Sequence, residues 1–204
     1  MTVHTEPAAP PAAARTVPAA RTRITGAALA VGTSAWIAGL TTAGKDFEDG
    51  KVVPLEIWAG MVFLFGLFPF VALLRATGAA GPRKGRVLCA VEMALLVPAM
   101  VWCPLAVAAG DGEEPAWMIP FDLCWPLSMA LMLAVGICVA VTGRFRGPLR
   151  WLPLLCGLWL PVAGAGQGML EGAAGTVPGA AWLGLTYGLT GLLLAAAPRL
   201  TDPA

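Results

Sequence analysis

Six apolar runs, each close to the roughly 20 residues that cross a bilayer core as a helix, leave this chain little choice of fold. They cover residues 24–43, 54–74, 87–109, 118–142, 150–170 and 179–198. The segments between them are short, so no material remains for a soluble domain. Of the 204 residues, 58% are hydrophobic and 12% charged, whereas soluble domains carry about 25% charge. Backbone groups in lipid must be satisfied within the protein, which makes helices of such runs. The expected fold is all-α, a polytopic six-helix transmembrane bundle over 21–199. An Ala/Pro-rich tail over 1–20 precedes it (Pro7, Pro10, Pro11, Pro18) and is read as disordered. A short tail, 200–204, follows.

The net charge of +1 conceals an uneven distribution of the thirteen basic residues. Arg15, Arg21, Arg23, Arg75, Arg83, Lys84, Arg86, Arg144, Arg146, Arg150 and Arg199 fall in the tails and even-numbered loops. Only Lys45 and Lys51 fall in the odd-numbered loops, beside Asp46, Glu48, Asp49, Asp111, Glu113, Glu114 and Glu171. Basic loops stay cytoplasmic, so both termini are expected inside, in the plasma membrane. The bilayer is the one partner this composition demands. Nothing supports nucleic-acid binding, and a homo-oligomer or a membrane partner stays open.

Small residues line several helix faces, where they let backbones approach closely in the absence of a hydrophobic drive. Gly32 and Gly39 mark one face of the first helix. Gly157 and Gly164 on the fifth and Gly184, Gly188 and Gly191 on the sixth are expected to pack the last hairpin, Gly157 against Gly191 and Gly164 against Gly184. In the central hairpin, Val87 to Gly143, folding about the acidic turn brings Cys89 level with Cys138, Trp102 with Trp125, and Cys103 with Cys124. That last pairing leaves a disulfide open. No Cys-x-x-Cys pair exists and the single histidine, His4, lies in the tail, so no metal or other cofactor is expected.

Three acids fall within or at the edge of spans. Glu92 lies on the stripe of Cys89 and Cys103, and burying an ionised group at a helix centre costs about 2.5–3.5 kcal/mol on insertion scales. It is a candidate proton or cation site; its structural alternative is an acid bonded to a carbonyl or reaching back toward Arg86. Glu56 and Asp122 each stand two residues after a proline, in a first helical turn where the dipole welcomes negative charge. They are candidate catalytic carboxylates at one depth, or simple helix caps.

Pro54-Leu55-Glu56, echoed by Pro120-Phe121-Asp122, resembles the Pro-x-Glu-acid motif of the small membrane-bound lycopene cyclases, in a stretch of about five residues. Ile57 and Leu123 stand where the motif's second acid would be. The resemblance implies acid-initiated chemistry on an isoprenoid.

Three function classes follow. The leading expectation is a small proton- or cation-coupled carrier that uses Glu92. The second is a membrane enzyme acting on an isoprenoid or lipid through Glu56 and Asp122. The third is an accessory or scaffold subunit built on the small-residue faces. A cavity reaching Glu92 favours the carrier, one at Glu56 and Asp122 the enzyme, and a sealed bundle the scaffold.

Overall fold

The structure, a computed structural model, describes residues 17–44, 46, 51–111, 115–170 and 172–202. His4, most of the Ala/Pro-rich tail and the loop residues Lys45, Glu48, Asp49, Glu113, Glu114 and Glu171 lie outside them. Among the described residues all regular structure is helical. Helices α1 (Ala19–Ala43), α2 (Pro54–Thr77), α3 (Lys84–Ala109) and α4 (Ile119–Thr142) are long and apolar enough to cross a membrane. So is a fifth rod, Gly172–Ala196. It contains α7 (Thr176–Leu183), a π-turn (Gly184–Gly188) and α8 (Leu189–Ala196).

The run expected as a single helix over 150–170 is instead two, α5 (Leu152–Gly157) and α6 (Trp159–Met169), parted at Leu158. Pro161 accounts for the break. It has no N–H for the Gly157 carbonyl, and its ring would collide with that carbonyl in a continuous helix. The chain tightens there, Leu158 donating to the Leu155 carbonyl at 3.2 Å. The Trp182 indole on α7 donates to the same carbonyl at 2.8 Å, so the break is held by its neighbour.

Each segment packs on the next, and the last rod closes back onto α1 to complete a ring. The α1–α8 crossing is very close: a Cβ on Gly26 would sit 2.5 Å from the Ala195 nitrogen, and one on Gly191 2.6 Å from the Ala30 nitrogen. Gly32 and Gly39 face α2, where a Cβ on either would come within 2.8 Å of Phe63 or Ala59.

The expected glycine pairing of the last hairpin does not form. Gly157 abuts the Leu133 backbone of α4, and Gly191 abuts α1. Gly184 and Gly188 look toward Ile37 and Thr33 of α1, while Gly164 has no neighbour within 4 Å of a Cβ. The kink at Leu158 turns Gly157 and Gly164 to different surroundings, and α1 takes the glycine face of the last rod.

Arginines tie one end of the ring together. Arg144 donates to the Thr77 carbonyl at 2.7 Å and Arg150 to the Ala140 carbonyl at 2.9 Å. Both carbonyls belong to the unpaired last turns of α2 and α4, where a cation also meets the favourable end of the helix dipole. Gly78 and Gly143 end these helices at φ 66° and 64°, in the left-handed region that a side chain resists. The opposite end carries Glu56, Asp111 and Asp122. Between the two ends the outer surface is apolar, with Val31, Phe65, Val91, Leu127, Val141 and Leu192 exposed, as a lipid-facing surface requires.

Candidate functional site

The acidic end of the ring holds a partly open cavity of about 300 Å³. Four tryptophans, Trp36, Trp102, Trp125 and Trp159, line it with Glu56, Asp122 and Gln167. Five segments contribute these groups: α1 gives Trp36, α2 Glu56, α3 Trp102, α4 Asp122 and Trp125, and α6 Trp159 and Gln167. Proline at the first position of α2, and near the start of α4, sets each acid in its first turn. Both acids line the same cavity.

Trp36 is the hub. Its ring centroid lies 4.8 Å from Phe63, 5.1 Å from Trp125 and 4.8 Å from Trp159. Its indole N–H donates to Glu56 Oε1 at 2.7 Å. An indole nitrogen can only donate, so this oxygen is fixed as an acceptor while the remainder of the carboxyl group serves the cavity. Glu56 is only 9% exposed. Gly60 makes room for the stack: a Cβ there would lie 2.9 Å from the Trp125 ring and 3.4 Å from Trp36 Nε1. On the far wall the Trp159 N–H donates to the Gly179 carbonyl at 3.0 Å, which pins α6 to α7 and fixes the ring's angle.

The break in the fifth run shapes this cavity. Without it Trp159, Leu160, Ala163, Gly164 and Gln167 would not be offset from α5, and Gly164 leaves open space where a side chain would intrude. An arrangement of electron-rich ring faces with two carboxylates attracts positive charge on an apolar body. Among the described residues no cluster of three or more metal-ligating side chains occurs.

Glu92 lies elsewhere. It is 0% exposed, in the interior of the ring, and does not line this cavity. Ser128 on α4 donates to its Oε1 at 2.9 Å. The structure thus brings Glu56 and Asp122 together and leaves Glu92 apart from them. All five cysteines are free thiols, Cys103 and Cys124 included; each of that pair donates to a carbonyl of its own helix.

Sequence reasoning overlooked Trp36 and Trp159. A signal for Trp36 exists: it lies two turns inside the end of α1, at the depth where Glu56 begins α2. A buried indole needs an acceptor, and a buried acid needs a donor. Trp159 carries no comparable signal, because its position depends on the break before it. No protein-family model matches this chain, and neither a curated protein nor a solved structure resembles it significantly.

Proposed function

We propose that this chain is a small multi-pass membrane protein that binds an apolar organic cation in the tryptophan-lined cavity, as a carrier for such compounds. The observation that carries the reading is the convergence of Trp36, Trp102, Trp125 and Trp159 with Glu56 and Asp122 on one cavity. Cation–π contacts contribute about 0.5–2 kcal/mol each, more as water is excluded, and the carboxylates supply the counter-charge. The cation site of the carrier thereby moves from Glu92 to Glu56 and Asp122.

The same reading takes six crossings with both termini cytoplasmic in the plasma membrane. Residues 152–169 rise about 27 Å as helix at 1.5 Å per residue, close to the roughly 30 Å of a hydrocarbon core. Two short helices in series therefore suffice for the fifth crossing. The separation of arginines from acids supports the orientation, and on that reading the cavity lies near the outer face.

Titrating the purified chain with a quaternary aryl-phosphonium, followed by tryptophan fluorescence, tests the proposal. Saturable quenching is expected, weakened at least tenfold in Glu56→Gln. Equal binding of an uncharged analogue of the same shape would refute the cation reading.

That outcome would favour a second reading, which the position of the cavity at Glu56 and Asp122 itself supports. A membrane enzyme could hold an isoprenoid or lipid chain there, one carboxyl group delivering a proton and the rings facing the positive charge that forms. Incubation with a polyene substrate and detection of a cyclised isomer distinguishes the two.

A further inference from the structure

Among the described residues three buried side-chain oxygens lack a hydrogen-bond partner: Thr22 Oγ1 in the first turn of α1 and, in the interior of the ring, Glu92 Oε2 and the Tyr187 hydroxyl. Glu92 and Tyr187 are both 0% exposed. Glu92 projects from α3 and is gripped on its other oxygen by Ser128. Tyr187 comes from the π-turn of the last rod, its ring edge-on to Phe63 at 5.1 Å. The hydroxyl lies within electrostatic reach of Glu92 and of Cys156. A buried hydroxyl or carboxyl oxygen left unbonded costs about 1–3 kcal/mol, so two in the interior call for a function.

The backbone around Tyr187 is irregular for a local reason. Thr186 returns its hydroxyl to the Trp182 carbonyl at 2.7 Å, and Thr190 returns its own to Thr186 at 2.7 Å. Such back-bonding loosens the helical ladder. A π-turn is an α-helix carrying one extra residue, a feature met often at functional sites. It gives Tyr187 a backbone that can shift in register, while Gly184 and Gly188 at its ends carry no side chain to obstruct the shift.

We infer that Glu92, Ser128 and Tyr187 form a second site, inside the bundle, that binds and releases one proton at Glu92 Oε2. The chemistry follows from what each group can do. Protonated, Glu92 Oε2 must donate; ionised, it must accept. A tyrosine hydroxyl turns to fill either role; it makes no direct bond to Oε2, so one bridging water would relay it, and Ser128 serves Oε1 in both states. The proton comes from bulk water and returns to it, with the carboxyl O–H bond alone made and broken and the phenol neutral throughout.

The titratable and charged groups around the site are few. Cys89 on α3 is nearest along the helix, with Cys138 of α4 and Arg75 of α2 in electrostatic reach of Cys89, and Cys156 of α5 stands behind Tyr187. Among the described residues no lysine, arginine or histidine forms an ion pair with Glu92. The charge change therefore has no fixed counter-ion and belongs to Glu92 itself. This site stands independently of the cation cavity.

Infrared difference spectra of the full chain in lipid nanodiscs, taken between mildly acidic and mildly alkaline pH, test it without any ligand. The wild type should lose a protonated-carboxyl band on alkalinisation. Glu92→Gln should lack that band and Glu56→Gln should retain it. Tyr187→Phe and Ser128→Ala keep Glu92 but change its partners, so each should shift the frequency of the band, and Tyr187→Phe its midpoint as well. Identical spectra for wild type and Glu92→Gln would overturn the inference. So would an unshifted band in Tyr187→Phe, and that comparison decides the matter even if Glu92→Gln fails to fold.

Discussion

Replacing Trp36 by phenylalanine isolates one bond at the centre of the cavity. The ring stack on Phe63 survives in kind, since a six-membered ring remains near the same position, but the N–H that reaches Glu56 Oε1 at 2.7 Å disappears. Glu56 is 9% exposed, so water replaces the lost donor only in part. Hydrogen bonds to charged groups are worth about 1.5–3 kcal/mol. For a chain of this size each kcal/mol moves Tm by about 2–4 °C, so Trp36→Phe should lower the melting temperature by about 3–12 °C. The assay is thermal unfolding in detergent followed by tryptophan fluorescence. The decisive comparison is a double-mutant cycle with Glu56→Leu, which removes the acceptor. If the bond is the cause, Trp36→Phe in the Glu56→Leu background should cost less than half as much. Equal costs in both backgrounds would refute the reasoning and assign the loss to ring volume alone.

Four further outcomes follow from the geometry and the charge distribution. Gly191→Ala should destabilise the fold by about 1–3 kcal/mol, because the added methyl meets the α1 backbone, whereas Gly164→Ala should melt like the wild type. Gly164→Leu should also fold, yet weaken cation binding by filling the cavity, as fluorescence titration will show. Arg144→Ala strips the Thr77 carbonyl of its donor at the end of α2 and should cost about 1–2 kcal/mol; unchanged melting would deny that arginine a structural role. Single cysteines at Asp111 and Gly172, in a background lacking the native thiols, should label from outside intact cells while those at Gly81 and Gly147 should not, and the opposite pattern would invert the orientation.

Much of the fold was legible because period, length and charge are local quantities. The runs that became α1 to α4 needed no tertiary information, and neither did the separation of arginines from acids. The break at Leu158 was legible in principle from Pro161, but other prolines, Pro69, Pro98 and Pro104 among them, lie within unbroken helices. Which proline breaks a helix depends on its surroundings, and here the Trp182 indole bonds the Leu155 carbonyl beside the break. The glycine stripes were readable as close-packing faces, but their partners were not. A small face is equally complementary to any other helix, so only the closing of the ring onto α1 selects among them. The paired acids could be placed at one depth from Pro54 and Pro120; that they share a cavity required the offset of α6.

The rings at the centre of the bundle also bear on how the two acids relate. Glu56 is bonded to Trp36, Trp36 stacks on Phe63, and Phe63 meets Tyr187, whose hydroxyl shares the interior with Glu92. Interiors packed to crystal-like density do not let one such ring shift without its neighbours yielding. A ligand in the proposed site would press on Trp36 or Trp125, both of which line the cavity. The displacement has a packed path through Phe63 to Tyr187, which stands in the π-turn. If the chain is the proton-coupled carrier proposed above, the occupant of the cavity must alter the protonation of Glu92, and by linkage the reverse must hold with equal strength. The chain of rings is the physical means by which a bundle without ion pairs at its interior acid could meet that requirement.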